Sequence, residues 1–344
     1  MRNRIRRTAI FCGLEAASLL SSFGLMRRAG GCGAIFTLHH VRPYVQRRFE
    51  PNRHLEVTPE FLDRAILRLK AEGYAFVSLD ALPERIAEKT GQRFAAFTLD
   101  DGYRDNLDHA LPVFARHDVP FTVFVTKGHS ERTHGLWWQT LAELLNHGRR
   151  LSFDCGRGEE KIDLGSAERR QKAFQRFAHF VHSADEAEAV ARIDALARRH
   201  GVEPLEIART LIMDRDALGR LAADPRATLG AHGVSHRALA RLDIAAAVAE
   251  MAEAADYVEH VSGKRPTSFC YPYGTTDAAT RREAELAADL GFGLAVTTRP
   301  GVIAPADTSS LTLLPRLSLN GHYQKPRYVS ALGSGIPTRL MRGG

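Results

Sequence analysis

Two aspartates stand side by side at Asp100 and Asp101, within the stretch RFAAFTLDDGYRDN from Arg93 to Asn106. Phe94 to Leu99 is a short apolar run with aromatic and β-branched members, and it reads as a buried strand that stops at this pair. Adjacent carboxylates at the end of a buried strand repel each other and resist desolvation. A metal, a basic partner or a shared proton has to compensate them. One aspartate could instead cap a helix beginning near Asp105, which accounts for one carboxylate and not for two. A second set of reactive side chains lies in GAHGVSHRAL, where His232 and His236 are four residues apart. On a helical turn both imidazoles face one way, as two ligands of one divalent ion do; two capping or surface histidines are the alternative in a chain with 15 of them. Two neutral imidazoles and one carboxylate would leave positions open for water and substrate, the usual form of a catalytic metal site.

The elements that must position these residues alternate between strand and helix. Gly33 to Leu38 is a strand candidate running into His39 and His40. Thr58-Pro59 starts a helix with apolar residues at Phe61, Leu62, Ala65, Ile66 and Leu69, closed by Gly73. Tyr74 to Leu79 reads as a strand and Leu82 to Lys89 as a helix. After the Asp-Asp strand, Leu107 to His117 is helical, kinked or restarted at Pro112, and Pro120 to Thr126 is a strand. From about Trp137 to Asp224 the rhythm breaks into helical patterns without convincing strands. It resumes with Ala227 to Ala231, a helix from Asp243, Thr267 to Tyr271, a helix from Asp277, Leu294 to Thr298, and Leu311 to Leu314 followed by Pro315-Arg316. Such alternation implies parallel pairing, so that strand ends collect on one face. The expected fold is α/β: a distorted (β/α) barrel of about seven strands with a mostly helical insertion. Its expected limits are 33–320, with the insertion at about 131–225, an N-terminal basic amphipathic segment at 1–32 and a surface tail at 321–344.

Composition excludes wholesale disorder: 44% of the 344 residues are hydrophobic and 25% charged. The net charge of +7 comes from arginines spread along the chain, clustered only at Arg2, Arg4, Arg6 and Arg7, without any nucleic-acid-binding motif. No nucleic-acid partner is expected. Cys12, Cys32, Cys155 and Cys270 form no CxxC pair, which fits a reducing compartment. Residues 8–26 resemble an anchor or signal, but Glu15 interrupts them. An amphipathic helix on the domain or a membrane surface, in a cytoplasmic protein, is the expectation; cleavage near Ala29-Gly30-Gly31 and secretion is the alternative.

With LDDGYRDN, HGVSH and YPYG in this order, the chain resembles the metal-dependent polysaccharide deacetylases, the NodB-homology group of carbohydrate esterase family 4. That group includes chitin, chitooligosaccharide, peptidoglycan and nodulation-factor deacetylases. Its TFDDG motif reads Thr98-Leu99-Asp100-Asp101-Gly102 here, and its HSxxH or HTxxH motif reads His232-Gly233-Val234-Ser235-His236. The resemblance implies a metal, usually zinc, on Asp101, His232 and His236, with Asp100 as the general base. It implies a backbone N–H of Tyr273 as oxyanion donor, and an acetylated amino-sugar glycan as substrate. Three departures stand out. Gly233 replaces a Ser or Thr, and Cys270 stands where the family has an Arg paired with the base, a place that Arg316 could fill. No LxxH-like segment supplies the general acid. A permuted branch of the family carries that His at the end of its first strand in a pattern resembling YHxV, and LHHV aligns His40 with it. The function these readings imply is removal of N-acetyl groups. The alternatives are an O-acetyl esterase on an acetylated glycan and a degenerate carbohydrate-binding scaffold.

Overall fold

The computed structural model describes residues 2–22, 27–88, 91–156 and 158–342. Met1, residues 23–26 and Lys89 lie outside the described residues, as do the side chains of Arg2, Arg4 and Arg6. Seven parallel strands close into a barrel in chain order. They are β1 (Gly33–Leu38), β2 (Phe94–Leu99), β3 (Phe121–Val125), β4 (Ala227–Ala231), β5 (Ser268–Cys270), β6 (Leu294–Pro300) and β7 (Leu314–Ser318), with β7 returning to β1 and β1 paired to β2. This is the distorted (β/α) barrel that the alternation implies. The strand expected over Tyr74 to Leu79 shrinks to Ala75–Phe76, added to the start of β2.

Register sets the heights of the strand ends. Leu38 pairs with Leu99, Leu99 with Val123, and Val125 with Ala231. The residues just beyond these strands, His39, Asp100, Thr126 and His232, therefore emerge on one rim. The last strand departs from expectation: β7 begins at Leu314, after a 3-10 turn over Leu311–Leu313, so Arg316 lies inside a strand and not at its end.

The helices form where their signals place them. α1 (Arg2–Ser22) precedes the barrel, and α2 (Pro59–Ala71) packs outside it. The Thr58 hydroxyl accepts the Phe61 N–H at 3.2 Å, Pro59 fills the first position, and the five predicted apolar residues are all buried. Pro112, which lacks a donor, is met by a π-helical stretch, Asn106–Ala110, before the α-helix Leu111–His117.

The insertion holds α3 (Trp137–His147), α4 (Ala167–Ser183) and α5 (Glu186–Arg199), but also a two-stranded antiparallel hairpin, Arg150–Asp154 with Glu159–Asp163. The insertion is mostly helical as expected, and the hairpin is the strand pair that the sequence reading did not find. Leu151 and Phe153 alternate with the exposed Arg150 and Ser152, while the partner strand buries only Ile162. Five residues of period two are a faint signal between long helical ones.

α6 (Ile244–Ser262) backs β4. The segment expected as a surface tail is instead α7 (Pro326–Gly333) and α8 (Ile336–Arg342), with Tyr328, Val329 and Ile336 buried. α1 lies against it through the buried Leu14 and Ala17. Among the described residues no helix is long and apolar enough to cross a membrane.

Three large apolar clusters result, with a small fourth one (Ala17, Ala331, Ile336) between α1 and the C-terminal helices. One fills the barrel (Ile35, Phe94, Phe124, Val296, Leu314), one separates strands from helices (Phe36, Leu62, Phe97, Phe114), and one belongs to the insertion (Leu141, Phe153, Phe177, Ile193). The third also takes in Tyr103, just past the aspartate pair, so the insertion is seated on the rim.

Candidate active site

Asp100 is clasped from inside the barrel. Arg316 donates from both terminal nitrogens to its two carboxylate oxygens, each at 2.7 Å. The guanidinium also reaches the Thr98 hydroxyl at 2.9 Å, the Thr297 carbonyl at 2.8 Å and the Cys270 sulfur at 3.1 Å. Both charges are buried. Burial alone would raise the Asp100 carboxyl, but the charge and hydrogen bonds of Arg316 outweigh it and hold the group below its usual range. Cys270 is thus the neighbour that Arg316 needs: a side chain as long as arginine at that position would occupy the space the guanidinium fills.

Asp101 is treated differently. Its Oδ1 is buried with no hydrogen bond, although Nε2 of His232 and of His236 stand 3.5 and 3.3 Å away. One oxygen and two imidazole nitrogens converge here, with all three donor atoms within 4.8 Å of one another. The Nδ1–H of His232 is donated to the Cys270 carbonyl at 2.6 Å, which turns the Nε2 lone pair toward Asp101. An unpaired buried carboxylate oxygen facing two imidazole Nε2 atoms fits a divalent cation. A second grouping, Asp100 with His232 and Cys270, does not fit, because Arg316 occupies both Asp100 oxygens and the sulfur.

The backbone that presents these groups is strained. Asp101, His236 and Tyr273 adopt left-handed φ angles of 71°, 58° and 60°, conformations that cost about 1–3 kcal/mol each. Gly233 obeys the same logic. Its φ is +75°, and a Cβ there would stand 3.1 Å from Glu250 Oε2. The hydrogen bond that a Ser or Thr would make is replaced by Glu250 of α6, which accepts from the N–H groups of Val234 and Ser235 at 2.7 and 2.9 Å and from the Ser235 hydroxyl. Nothing in the local sequence points to Glu250, which lies 14 residues beyond His236.

Of the two adjacent histidines, the structure brings His39 and not His40 to the cleft. His40 is fully buried, donates its Nδ1–H to Asp105 at 2.6 Å, accepts from the Gln139 side-chain amide at 3.2 Å, and packs on Tyr103 with ring centres 3.6 Å apart. His39 lines the cleft with its Nε2 3.9 Å from Asp100 Oδ2. Side chains alternate across a strand, so Thr37 and His39 share the inner face that His40 leaves. Burial lowers the His39 imidazole, opposed by the charges of Asp100 and Asp101.

Tyr273 also reaches the cleft, in the turn after β5. Its hydroxyl donates to Glu186 at 2.6 Å and accepts from Trp137 Nε1 at 2.9 Å. Burial and the facing Glu186 push the phenol well above its ordinary range, so it stays a donor. The cleft above the rim measures about 750 Å³, and the insertion builds one wall of it with Trp137, Trp138, Phe174 and His182. Five of the predicted residues (Asp100, Asp101, His232, His236 and Tyr273) line this cleft, Arg316 supports it from below, and His40 is directed elsewhere.

A comparison with curated proteins gives no match. Among solved structures, the Streptococcus pyogenes deacetylase PplD in complex with acetate is similar at 17% identity and a TM-score of 0.55, over 84% of this chain and 92% of that one. IcaB from Ammonifex degensii is similar at 16% identity and a TM-score of 0.54, over 88% and 98%. BA0330 from Bacillus anthracis, described as a putative polysaccharide deacetylase, is similar at 12% and 0.53, over 87% and 68%. At these identities the likeness is one of fold. The sequence profile for polysaccharide deacetylase matches residues 87–153 and 187–292, about half of the chain and including both the Asp-Asp pair and the two histidines. The chain therefore belongs to the polysaccharide deacetylase family, hydrolases of the non-peptide carbon–nitrogen bond.

Proposed function

We propose that this protein is a metal-dependent hydrolase that removes N-acetyl groups from an amino-sugar polysaccharide or oligosaccharide. The carrying observation is the unequal treatment of the two aspartates. Asp100 is ionised and fixed by Arg316, while the Asp101 oxygen is left to two imidazoles. A divalent ion, with zinc the choice of this donor set, would be held by Asp101, His232 and His236 and would supply Lewis acidity to the attacking water and the acetyl carbonyl. Asp100 takes the proton released by that water. Arg316 keeps the carboxylate charged and its plane fixed, so the proton is received in one orientation. The Tyr273 N–H is the oxyanion donor. His39 takes the place expected of His40 and gives a proton to the departing amine as the carbon–nitrogen bond breaks and acetate is released. The aromatic wall offers apolar faces on which sugar rings stack.

Acetate release from N-acetylglucosamine oligomers, with acetylated xylan in parallel, tests this reading. Release should be abolished by chelator and by Asp101→Asn, with metal lost in both. His39→Ala should keep its metal and lose about 10²–10⁴-fold in turnover. Undiminished turnover in His39→Ala places the acid elsewhere. Faster release from xylan would favour an esterase, and no chelator-sensitive acetate from either would favour a carbohydrate-binding scaffold.

A further inference from the structure

Glu186 is the first residue of α5 and lies in the stretch that the family profile skips, between residues 153 and 187. Its carboxylate is buried, yet it does not serve its own helix, whose N-cap is Asp185. Oε1 accepts the Tyr273 hydroxyl at 2.6 Å. Oε2 accepts the Ala238 N–H at 3.1 Å, two residues past His236, and faces Arg241 at 3.8 Å. Arg241 in turn donates to the carbonyls of Val181 and Ala184 at the junction of α4 and α5. One carboxylate of the insertion therefore ties together two loops of the barrel, each carrying a left-handed residue of the site, Tyr273 and His236. The bonds run to the tip of one of these side chains and to the backbone just behind the other.

We infer that Glu186 is a positioning residue through which the insertion holds the Tyr273 turn and the His236 loop in their reactive geometry. It touches neither substrate nor reacting atoms in this role. Two strained φ angles persist only where the surroundings over-determine them. Thr298 bonds the Tyr273 carbonyl and Trp137 its hydroxyl, the His236 ring packs on Tyr273 with ring centres 5.0 Å apart, and among the described residues Glu186 is the side chain that hydrogen-bonds both that turn and the other loop. The inference rests on the deacetylase reading for its kinetic consequence and on geometry alone for its structural one.

The test uses the full chain loaded with zinc. Glu186→Ala should lower kcat about tenfold to a hundredfold while KM moves less than about threefold, because the lost order is that of the transition-state donor. Glu186→Gln keeps an acceptor for Tyr273 and loses the one for Ala238, so it should lower kcat by about three- to tenfold. It decides the matter if Glu186→Ala does not fold. Wild-type kcat in the folded variant, or an equal loss expressed only in KM, overturns the inference. If the wild-type protein releases no acetate from any substrate, the reading of the reaction fails while this inference is still measurable. Amide exchange at Tyr273 and across 233–238 should then be at least tenfold faster in Glu186→Gln with an unchanged melting temperature. Unchanged exchange overturns the positioning role independently of any activity.

Discussion

Arg316 gives Asp100 a fixed plane as well as a partner, since its fork meets both oxygens while a third nitrogen holds the Thr297 carbonyl. Lysine would keep the charge and lose the fork. In Arg316→Lys the Asp100 carboxyl should therefore move up from its depressed position, and the acidic limb of the kcat/KM profile should shift to higher pH with it. A base that protonates at higher pH is lost sooner as the medium is acidified, which fixes the sign of the shift. A pH profile with an unmoved acidic limb would show that Arg316 does not tune the base. Removing the charge altogether, as in Arg316→Met, leaves Asp100 buried and unpaired at a cost of about 3–5 kcal/mol, to be read in the denaturation midpoint. The two adjacent histidines differ by the same kind of local geometry. YHxV places its His two residues before Val, and counting back from Val41 gives His39. Strand alternation from Thr37 gives the same residue.

At the scale of elements, the site is assembled from the segments just past the C-terminal ends of β1, β2, β4 and β5, and parallel register brings those ends level. Barrel strands and the capped helix α2 were legible because apolar runs and an N-cap act locally. The hairpin in the insertion and the two C-terminal helices were not, because short segments owe their structure to the surface that receives them. The loop from His232 to His236 shows the same dependence. Its conformation needs Gly233 at φ +75° and Glu250 from a helix outside the motif. Gly233→Ala should destabilise the protein by about 1–2 kcal/mol and weaken metal binding, measured by chelator competition against a variant such as Gly219→Ala, where added Cβ meets nothing. Equal metal affinity in the two variants would separate the loop's backbone from the ligand geometry.

For the molecule as a whole, α1 and the two C-terminal helices come together. Glu15 of α1 accepts from Lys325, Arg327 and Tyr328 of the α7 region, and the bonds from Arg327 and Tyr328 bring its carboxyl down to about 2. The folded value lies below the ordinary 4.5, so this contact contributes fully above the unfolded value and is lost as the pH falls through the folded one. Acidification from about pH 5 toward pH 2 should release α1 from α7 before the barrel unfolds. Protease cleavage within residues 7–22 should rise over that range in the wild type and be already high in Glu15→Ala. Cleavage that is independent of pH would mean that the apolar contacts of Leu14 and Ala17 suffice.

The sequence by itself determined the chemistry of the rim: an aspartate pair at the end of a buried strand, two histidines four apart, and an alternation that closes into a barrel. Each of these is written in neighbouring residues, and short-range propensity and spacing are properties of the local chain. Tertiary structure alone decided that Arg316 would clasp both Asp100 oxygens from inside a strand, and that Glu250 and Glu186 would steady the loops from distant helices. Those choices depend on where separate segments meet in space, and no spacing along the chain encodes that distance.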